Sequence, residues 1–242
     1  GSGEIIRING GLTGTGDAGF TFVGSTNGGT ILNADIVTAG QPIVFNGAVF
    51  VASNVLVDAT DGGSATIPGG VTFTGTIDRE GSTPSTDARL TIRSGAGAAD
   101  LQGTVGGTNR LFTLDIEGSS IRVRNVNTIS DQIYTGPVSL GGILNANGEG
   151  GAPGNVTING NLELFADSAV VSSLATGDEV RITGGINSDS PNLSRGLILN
   201  AGAGDVFVLG DSGLTNRLGD FIARGATVAL GSVVGNGQMR FE

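Results

Sequence analysis

The chain has 242 residues, 45 of them glycine, with a net charge of -10 and a positive mean hydropathy of +0.18. Cysteine, histidine, lysine and tryptophan are absent. No thiolate or imidazole catalyst, lysine Schiff base, disulfide or Cys/His zinc site can be built from what remains. The acidic balance opposes nucleic acid and anionic membrane surfaces, because both need a basic patch. No apolar run is long enough for a transmembrane helix. Glycine without a Gly-X-Y period excludes collagen, and a hydrophobic fraction of 38% argues against disorder. Gly1-Ser2-Gly3 reads as a cloning remnant, which leaves residues 4–242 as one excised segment.

Strand signals run the length of the chain. They begin at Ile5–Arg7 and Phe20–Val23, then Ile43–Phe45, Val49–Val51, Val55–Val57 and Val71–Thr74. Leu90–Ile92, Leu114–Ile116 and Ile121–Val123 follow, and the alternation Arg89-Leu90-Thr91-Ile92-Arg93 places Leu90 and Ile92 inward. Val156–Ile158, Val180–Ile182, Leu197–Leu199, Val206–Leu209 and Val228–Leu230 complete the series. Val206–Leu209 is apolar on both faces and is expected to be covered or to sit under a loop. The best helical stretch, Asn216 to Arg224, is short and broken by Gly219.

Between these strands one pattern recurs: apolar, any, glycine, any, apolar. It reads Ile8-Gly10-Leu12, Phe45-Gly47-Val49, Phe73-Gly75-Ile77 and Leu101-Gly103-Val105, then Tyr134-Gly136-Val138, Ile158-Gly160-Leu162 and Ile182-Gly184-Ile186. Weaker copies centre on Gly24, Gly210 and Gly231. Short strands bent at a glycine, recurring mostly every ~20–30 residues, predict a coiling β-chain. Glycine is expected at the bends because it tolerates unusual backbone angles. The six Asn-Gly pairs are read as coil corners rather than hairpins, because the pattern spans the chain. Phe45, Phe73, Leu101, Tyr134, Ile158 and Ile182 are expected to stack as one buried column.

A longer period overlies the short one. Residues 90–121 align with 197–228 without a gap, with 11 of 32 positions identical, among them Thr108-Asn109-Arg110-Leu111 and Thr215-Asn216-Arg217-Leu218. The chain is therefore about two and a half copies of a long unit, with no linker. Asp78–Thr86 and Ala146–Gly154 read as loops. The fold expected is all-β, a parallel β-solenoid of about nine to ten rungs; tandem antiparallel β-sandwiches are the alternative.

Val71-Thr72-Phe73-Thr74-Gly75-Thr76-Ile77-Asp78, Leu90-Thr91-Ile92 before Gly95-Ala96-Gly97, and Gln132-Ile133-Tyr134-Thr135-Gly136-Pro137-Val138 resemble the β-strand repeats of large bacterial exoproteins of filamentous-haemagglutinin-like architecture. Val105-Gly106-Gly107-Thr108 with Leu111 belongs to the same resemblance, which covers most of residues 31–242. The resemblance implies a right-handed parallel β-helix in a secreted, surface-attached fibre or adhesin, and carries over no catalytic or binding residue.

Few side chains suggest a site. Asp58, Asp61, Asp78, Glu80, Asp205 and Asp211 offer oxygen ligands of the kind calcium takes, but the tandem nonapeptides of a calcium roll are missing. Thr72, Thr74 and Thr76 hint at an ice-binding ladder that neighbouring repeats do not continue. Asp78 with Glu80, and Asp178 with Glu179, are the nearest carboxylate pairs for glycosidic chemistry, without aromatic platforms beside them. Arg89, Arg93, Arg122 and Arg124 are expected to partner Asp115 and Glu117. No catalytic residue, metal ligand or cofactor is assigned. The function expected is a non-catalytic structural spacer of a bacterial cell-surface fibre. Its expected partners are neighbouring repeats or copies of itself end to end, and a surface polysaccharide or cell-surface ligand. An extracellular glycan- or calcium-binding module using the loops Asp78–Thr86 or Ala146–Gly154 is the alternative, and a polysaccharide-active enzyme comes third.

Overall fold

The computed structural model describes residues 3–24, 28–60, 62, 66, 68–82, 87–146 and 152–242. It is a parallel β-solenoid of about nine turns, with no helix among the described residues. The chain divides into two compact units, Gly1–Arg122 and Val123–Glu242.

In the first unit each coil contributes three short strands. The first coil holds β1 (Ile5–Ile8), β2 (Leu12–Gly14) and β3 (Phe20–Val23), and the second β4 (Gly29–Leu32), β5 (Ile36–Thr38) and β6 (Ile43–Asn46). The third holds β7 (Val49–Val51), β8 (Val55–Asp58) and β9 (Val71–Phe73), and the fourth β10 (Ile77–Arg79), β11 (Arg89–Arg93) and β12 (Ala98–Leu101). β13 (Thr113–Glu117) and β14 (Ser120–Val123) close the unit. Strands stack in the orders β1-β4-β7-β10, β2-β5-β8-β11-β13 and β3-β6-β9-β12-β14.

The second unit repeats the scheme. Its coils run β15 (Val126–Thr128), β16 (Gln132–Thr135), β17 (Val138–Leu140), then β18 (Ile143–Ala146), β19 (Val156–Asn159), β20 (Leu162–Leu164), then β21 (Ser168–Val171), β22 (Glu179–Ile182), β23 (Ile186–Ser188). β24 (Leu197–Asn200) with β25 (Asp205–Val208), β26 (Phe221–Arg224) with β27 (Thr227–Leu230), and β28 (Met239–Phe241) follow. The stacks are β15-β18-β21-β24-β26-β28, β16-β19-β22-β25-β27 and β17-β20-β23. Asn216 to Gly219 is loop that leads into β26, so the short helical stretch does not form; Gly219 and the strand-forming run Phe221–Arg224 override it.

Register distinguishes the solenoid from the hairpin alternative. Partners are parallel and come from successive coils, as near in sequence as Val126 and Leu144 and as far as Val55 and Leu90. The single antiparallel contact among the described residues is the bridge between Ser190 and Leu193. Asn9-Gly10, Asn46-Gly47 and Asn159-Gly160 sit at corners between consecutive parallel-stacked strands and not in hairpins, as expected; Asn27 and Asn147 lie outside the described residues.

The corner glycines are required for a different reason from the one expected. Only Gly47 (φ +110°) and Gly136 (φ +130°) of the set adopt left-handed backbone angles. Most of the others need glycine because coils touch there, main chain to main chain. A Cβ on Gly75 would lie 2.3 Å from the carbonyl oxygen of Gly47, and one on Gly103 2.2 Å from that of Gly75. In the second unit a Cβ on Gly160 would lie 2.3 Å from the Gly136 oxygen, and one on Gly184 2.5 Å from the Gly160 oxygen. Each of these corners therefore rests on the peptide of the corner before it.

Inside these corners run the large apolar residues. Phe45, Phe73, Leu101, Tyr134, Ile158 and Ile182 are all buried, but they form two columns, one in each unit. In the first, Phe22 stacks on Phe45 at 4.9 Å and Phe45 on Phe73 at 4.5 Å between ring centroids, with Leu101 next in register. In the second, Tyr134, Ile158, Ile182 and Val208 follow in register. The outward face of Val206–Leu209 is covered only in part: the Arg181 guanidinium lies 5.5 Å from the centroid of the half-buried Phe207 ring, while Leu209 is exposed.

Tyr134 carries a hydroxyl into this core and finds a partner for it. Its O–H donates to Gln132 Oε1 at 2.9 Å, and Gln132 Nε2 donates to Thr128 Oγ1 at 3.1 Å. Full burial pushes the phenol pKa far above its ordinary value. The folded value exceeds the unfolded one, so the neutral phenol's contribution is complete below about pH 10 and is lost as pH rises beyond it. With one tyrosine and no lysine, cysteine or histidine, no other side chain titrates between the carboxylates and arginine. Unfolding free energy measured by urea titration should therefore stay level from about pH 6 to 9, apart from any contribution of the terminal amine, and then fall by up to about 1.4 kcal/mol per pH unit. Tyr134→Phe should remove the alkaline fall. It should also cost about 1–3 kcal/mol at neutral pH, because Gln132 Oε1 loses its donor.

Candidate functional site

The long repeat has a structural counterpart. In the first unit Asp78, three residues after the corner Gly75, accepts hydrogen bonds at Oδ1 from the N–H groups of Thr108 (2.8 Å) and Asn109 (3.0 Å). In the second unit Asn187, three residues after Gly184, accepts at Oδ1 from the N–H groups of Thr215 (3.1 Å) and Asn216 (3.4 Å). The next residue continues the match: Arg79 Nε donates to the carbonyl of Arg110 at 3.1 Å, and Ser188 Oγ to that of Arg217 at 2.8 Å. Gly106 and Gly213 both turn through positive φ and donate to Ile77 and Ile186. Each Thr-Asn-Arg-Leu segment is thus a loop pinned onto the coil beneath it, with Leu111 and Leu218 buried as its anchors.

The two copies differ in what lies beside that pinned loop. In the first unit the outward column in register with Asp78 contains Phe50, Ile31 and Arg7. Arg7 pairs with Glu80, tying the first coil to the fourth, with Ile31 and Phe50 at the intervening positions and Ile31 only 6% exposed. In the second unit the corresponding column is Ser139, Glu163 and Asn187, in register on β17, β20 and β23. It is polar and open. These residues floor a groove of about 320 Å³ whose wall is Thr215 and Asn216. The groove exists because β23 is the last strand of its stack, and the next coil puts the pinned loop where a strand would follow.

The candidates read from sequence lie elsewhere and have structural tasks. Asp78 pins its loop, and Glu80 is held by Arg7. Asp58 is buried; its Oδ1 accepts from the N–H and O–H of Thr60, while its Oδ2 has no partner among the described residues. Asp211 Oδ1 accepts from the N–H of Ser232 at 2.9 Å, and Asp205 stands in register with Glu179. Asp61, and residues 83–86 and 147–151 of the two expected loops, lie outside the described residues. Among the described residues no three acids converge as a metal site. The two carboxylate pairs do not face each other across a cleft. Asp178 is buried against the Ser173 hydroxyl, and Glu179 points outward, 3.9 Å from Arg181. Thr72 stands in register with Val44 and Asp100, so its column is no threonine ladder.

The four arginines divide. Arg93 faces Glu117 across β11 and β13 as expected. Burial raises the Asp115 carboxyl above the ordinary aspartate range, Arg93 opposes the shift and Glu117 adds to it. Arg122 lies in register with Asp100. Arg89 and Arg124 instead cover aromatic rings, 4.4 Å from the centroid of Phe112 and 5.3 Å from that of Phe165. Such contacts are invisible to charge pairing alone, because the ring comes from a different coil.

The groove is the feature that residue-by-residue inspection misses, since Ser139, Glu163 and Asn187 are each ordinary surface residues and stand a full coil apart in sequence. A signal was present: all three stand three places after a corner glycine, Gly136, Gly160 and Gly184. No family model, curated protein or solved structure matches the chain, so its functional reading rests on its own geometry.

Proposed function

We propose that the chain is a structural repeat segment of a secreted bacterial cell-surface fibre or adhesin, a non-catalytic spacer built from stacked coils. The observation that carries this reading is the stacking itself. Parallel ladders and corner glycines hold coil to coil through the main chain, so length is added without special side-chain chemistry. The partners that fit are further coils. Inward residues of the first coil, Leu12, Phe20 and Phe22, are half-buried, whereas Phe45 and Phe73 in the same column as Phe22 are fully buried. Val228 and Leu230 are likewise half-buried where Val206 and Val208 beneath them are covered, and with Met239 and Phe241 they line an apolar concavity of about 550 Å³.

Electron microscopy and sedimentation of the purified chain at rising concentration, with and without millimolar calcium, test the proposal. End-to-end particles that lengthen with concentration, and that Phe241→Asp shortens, are the expected result. A strictly monomeric chain at every concentration would remove the assembly on which the fibre reading depends.

A further inference from the structure

We infer that the groove on the second unit, floored by Ser139, Glu163 and Asn187 and walled by Thr215, is a binding site for a short neutral oligosaccharide. The inference does not depend on the fibre reading; it rests on the chemistry of the groove and on its contrast with the first unit.

Three features select the ligand class. First, the groove presents hydrogen-bonding groups whose protein-facing ends are already committed. Asn187 spends Oδ1 on the amides of Thr215 and Asn216, and Asn161 spends Oδ1 on the N–H of Gly185 at 3.1 Å. Their side-chain NH2 groups remain as donors in fixed positions. Glu163 supplies a carboxylate acceptor whose hydroxyl neighbour, Ser139 Oγ, is 3.5 Å away, and Ser139 and Thr215 add hydroxyls. Fixed donors and acceptors interleaved with hydroxyls complement a surface made of hydroxyls. Second, the aliphatic residues of the groove, Val138 and Leu162, are 1% exposed, which leaves the exposed Pro137 as its apolar surface and no deep apolar pocket for the anchoring side chain of a peptide. Its floor is a sheet face, and the edge of β23 is closed by the pinned loop: Gly213 N–H donates to the Ile186 carbonyl, and Ser188 N–H to that of Asn216. No open edge is left there to capture an extended peptide. Third, the floor residues repeat once per coil. Three coils span ~10 Å, which suits a linear chain of about two or three sugar units lying along the stack.

Among the described residues Glu163 is the only ionisable one lining the groove, in a chain of net charge -10. Uronic or sulfated sugars are therefore disfavoured, and neutral ones fit. The contrast between the units strengthens the case. The same pinned loop in the first unit stands over Phe50 and Ile31, with Arg7 and Glu80 paired beside them. Apolar residues occupy those positions in the first unit, so the polar floor of the second unit is not dictated by the loop. The groove has no aromatic platform, so the affinity expected is millimolar to high micromolar.

Amide-resolved NMR of the full chain tests this directly. The probes are the neutral trisaccharides of β-glucose, β-xylose, mannose, galactose and N-acetylglucosamine, with trigalacturonate as the charged comparison. The expected result is saturable shifts, for at least one neutral trisaccharide, at the side-chain amides of Asn161 and Asn187 and the backbone of Thr215 and Asn216. Resonances of the first unit should not move. Glu163→Arg, at an exposed position that should leave folding intact, is expected to weaken binding about tenfold or more by filling the groove and removing its acceptor. Absence of shifts with every neutral trisaccharide at millimolar concentration overturns the inference. So do shifts that Glu163→Arg leaves unchanged, or stronger binding of trigalacturonate.

Discussion

Replacing Phe73 with alanine is expected to lower the unfolding free energy by about 3–5 kcal/mol, measured by urea or guanidinium titration. The side chain is fully buried, its ring stacks on Phe45, and Leu101 lies next in register. Main-chain ladders fix the coils above and below at the sheet spacing, so they cannot close onto the space left behind, and the cost should fall toward the upper end of the range. Phe22, at the half-buried end of the same column, provides an internal comparison: Phe22→Ala should cost distinctly less than Phe73→Ala. Equal losses at the two positions would mean that the column is not stacked as described. A loss at Phe73 below about 1 kcal/mol would mean the same.

Gly75→Ala should be as damaging as removing a core ring, although it adds only one methyl group. The new Cβ would sit 2.3 Å from the carbonyl oxygen of Gly47, and that oxygen belongs to a main chain held in register by both neighbouring strands. We expect a loss of about 3 kcal/mol or more, at the upper end of what overpacking costs, because no side chain is available to rotate away. Gly10→Ala is the matched control. It occupies the same place in the sequence pattern, yet a Cβ there meets nothing within 4 Å. It should change stability by no more than about 0.5 kcal/mol, the usual range for an exposed substitution. If both variants were equally tolerated, the close approach of the corners would be wrong.

That pair of glycines shows what could be read in the sequence and what could not. The pattern of apolar residues around each glycine located the corners, and strand alternation located the inward residues such as Leu90, Ile92, Leu114 and Ile116. The reason for glycine was hidden, because it lies in the peptide one coil away, and the uneven spacing of the glycines does not say which atoms will touch. The division of the large apolar residues into two columns was hidden likewise: Phe73 and Tyr134 carry the same local pattern but belong to different units. The acids read as calcium or catalytic candidates were legible only as charges. The partners that occupy them, Thr108 and Asn109 for Asp78, or Arg7 for Glu80, come from other coils. The groove could have been found by aligning corner glycines and reading the third position after each, which yields Phe50 and Asp78 in one unit and Ser139, Glu163 and Asn187 in the other.

The main-chain contact at the corners also decides where this chain can change length. From the apolar residue before a corner glycine to the one after it the count is fixed, as in Phe45 to Val49, Phe73 to Ile77 and Ile158 to Leu162. Elsewhere in the coil the length varies. The stretch from Val55 to its partner Leu90 is nearly twice as long as that from Val126 to Leu144, and both keep register. Insertions that arise between Asp58 and Val71, or between Arg79 and Arg89, leave every corner in phase, whereas a single residue added within a corner would displace all the coils that rest on it. A foreign peptide could accordingly be displayed at the former sites while the ladder beneath it stays intact, and natural variants of such a chain should differ in length there and nowhere near the glycines.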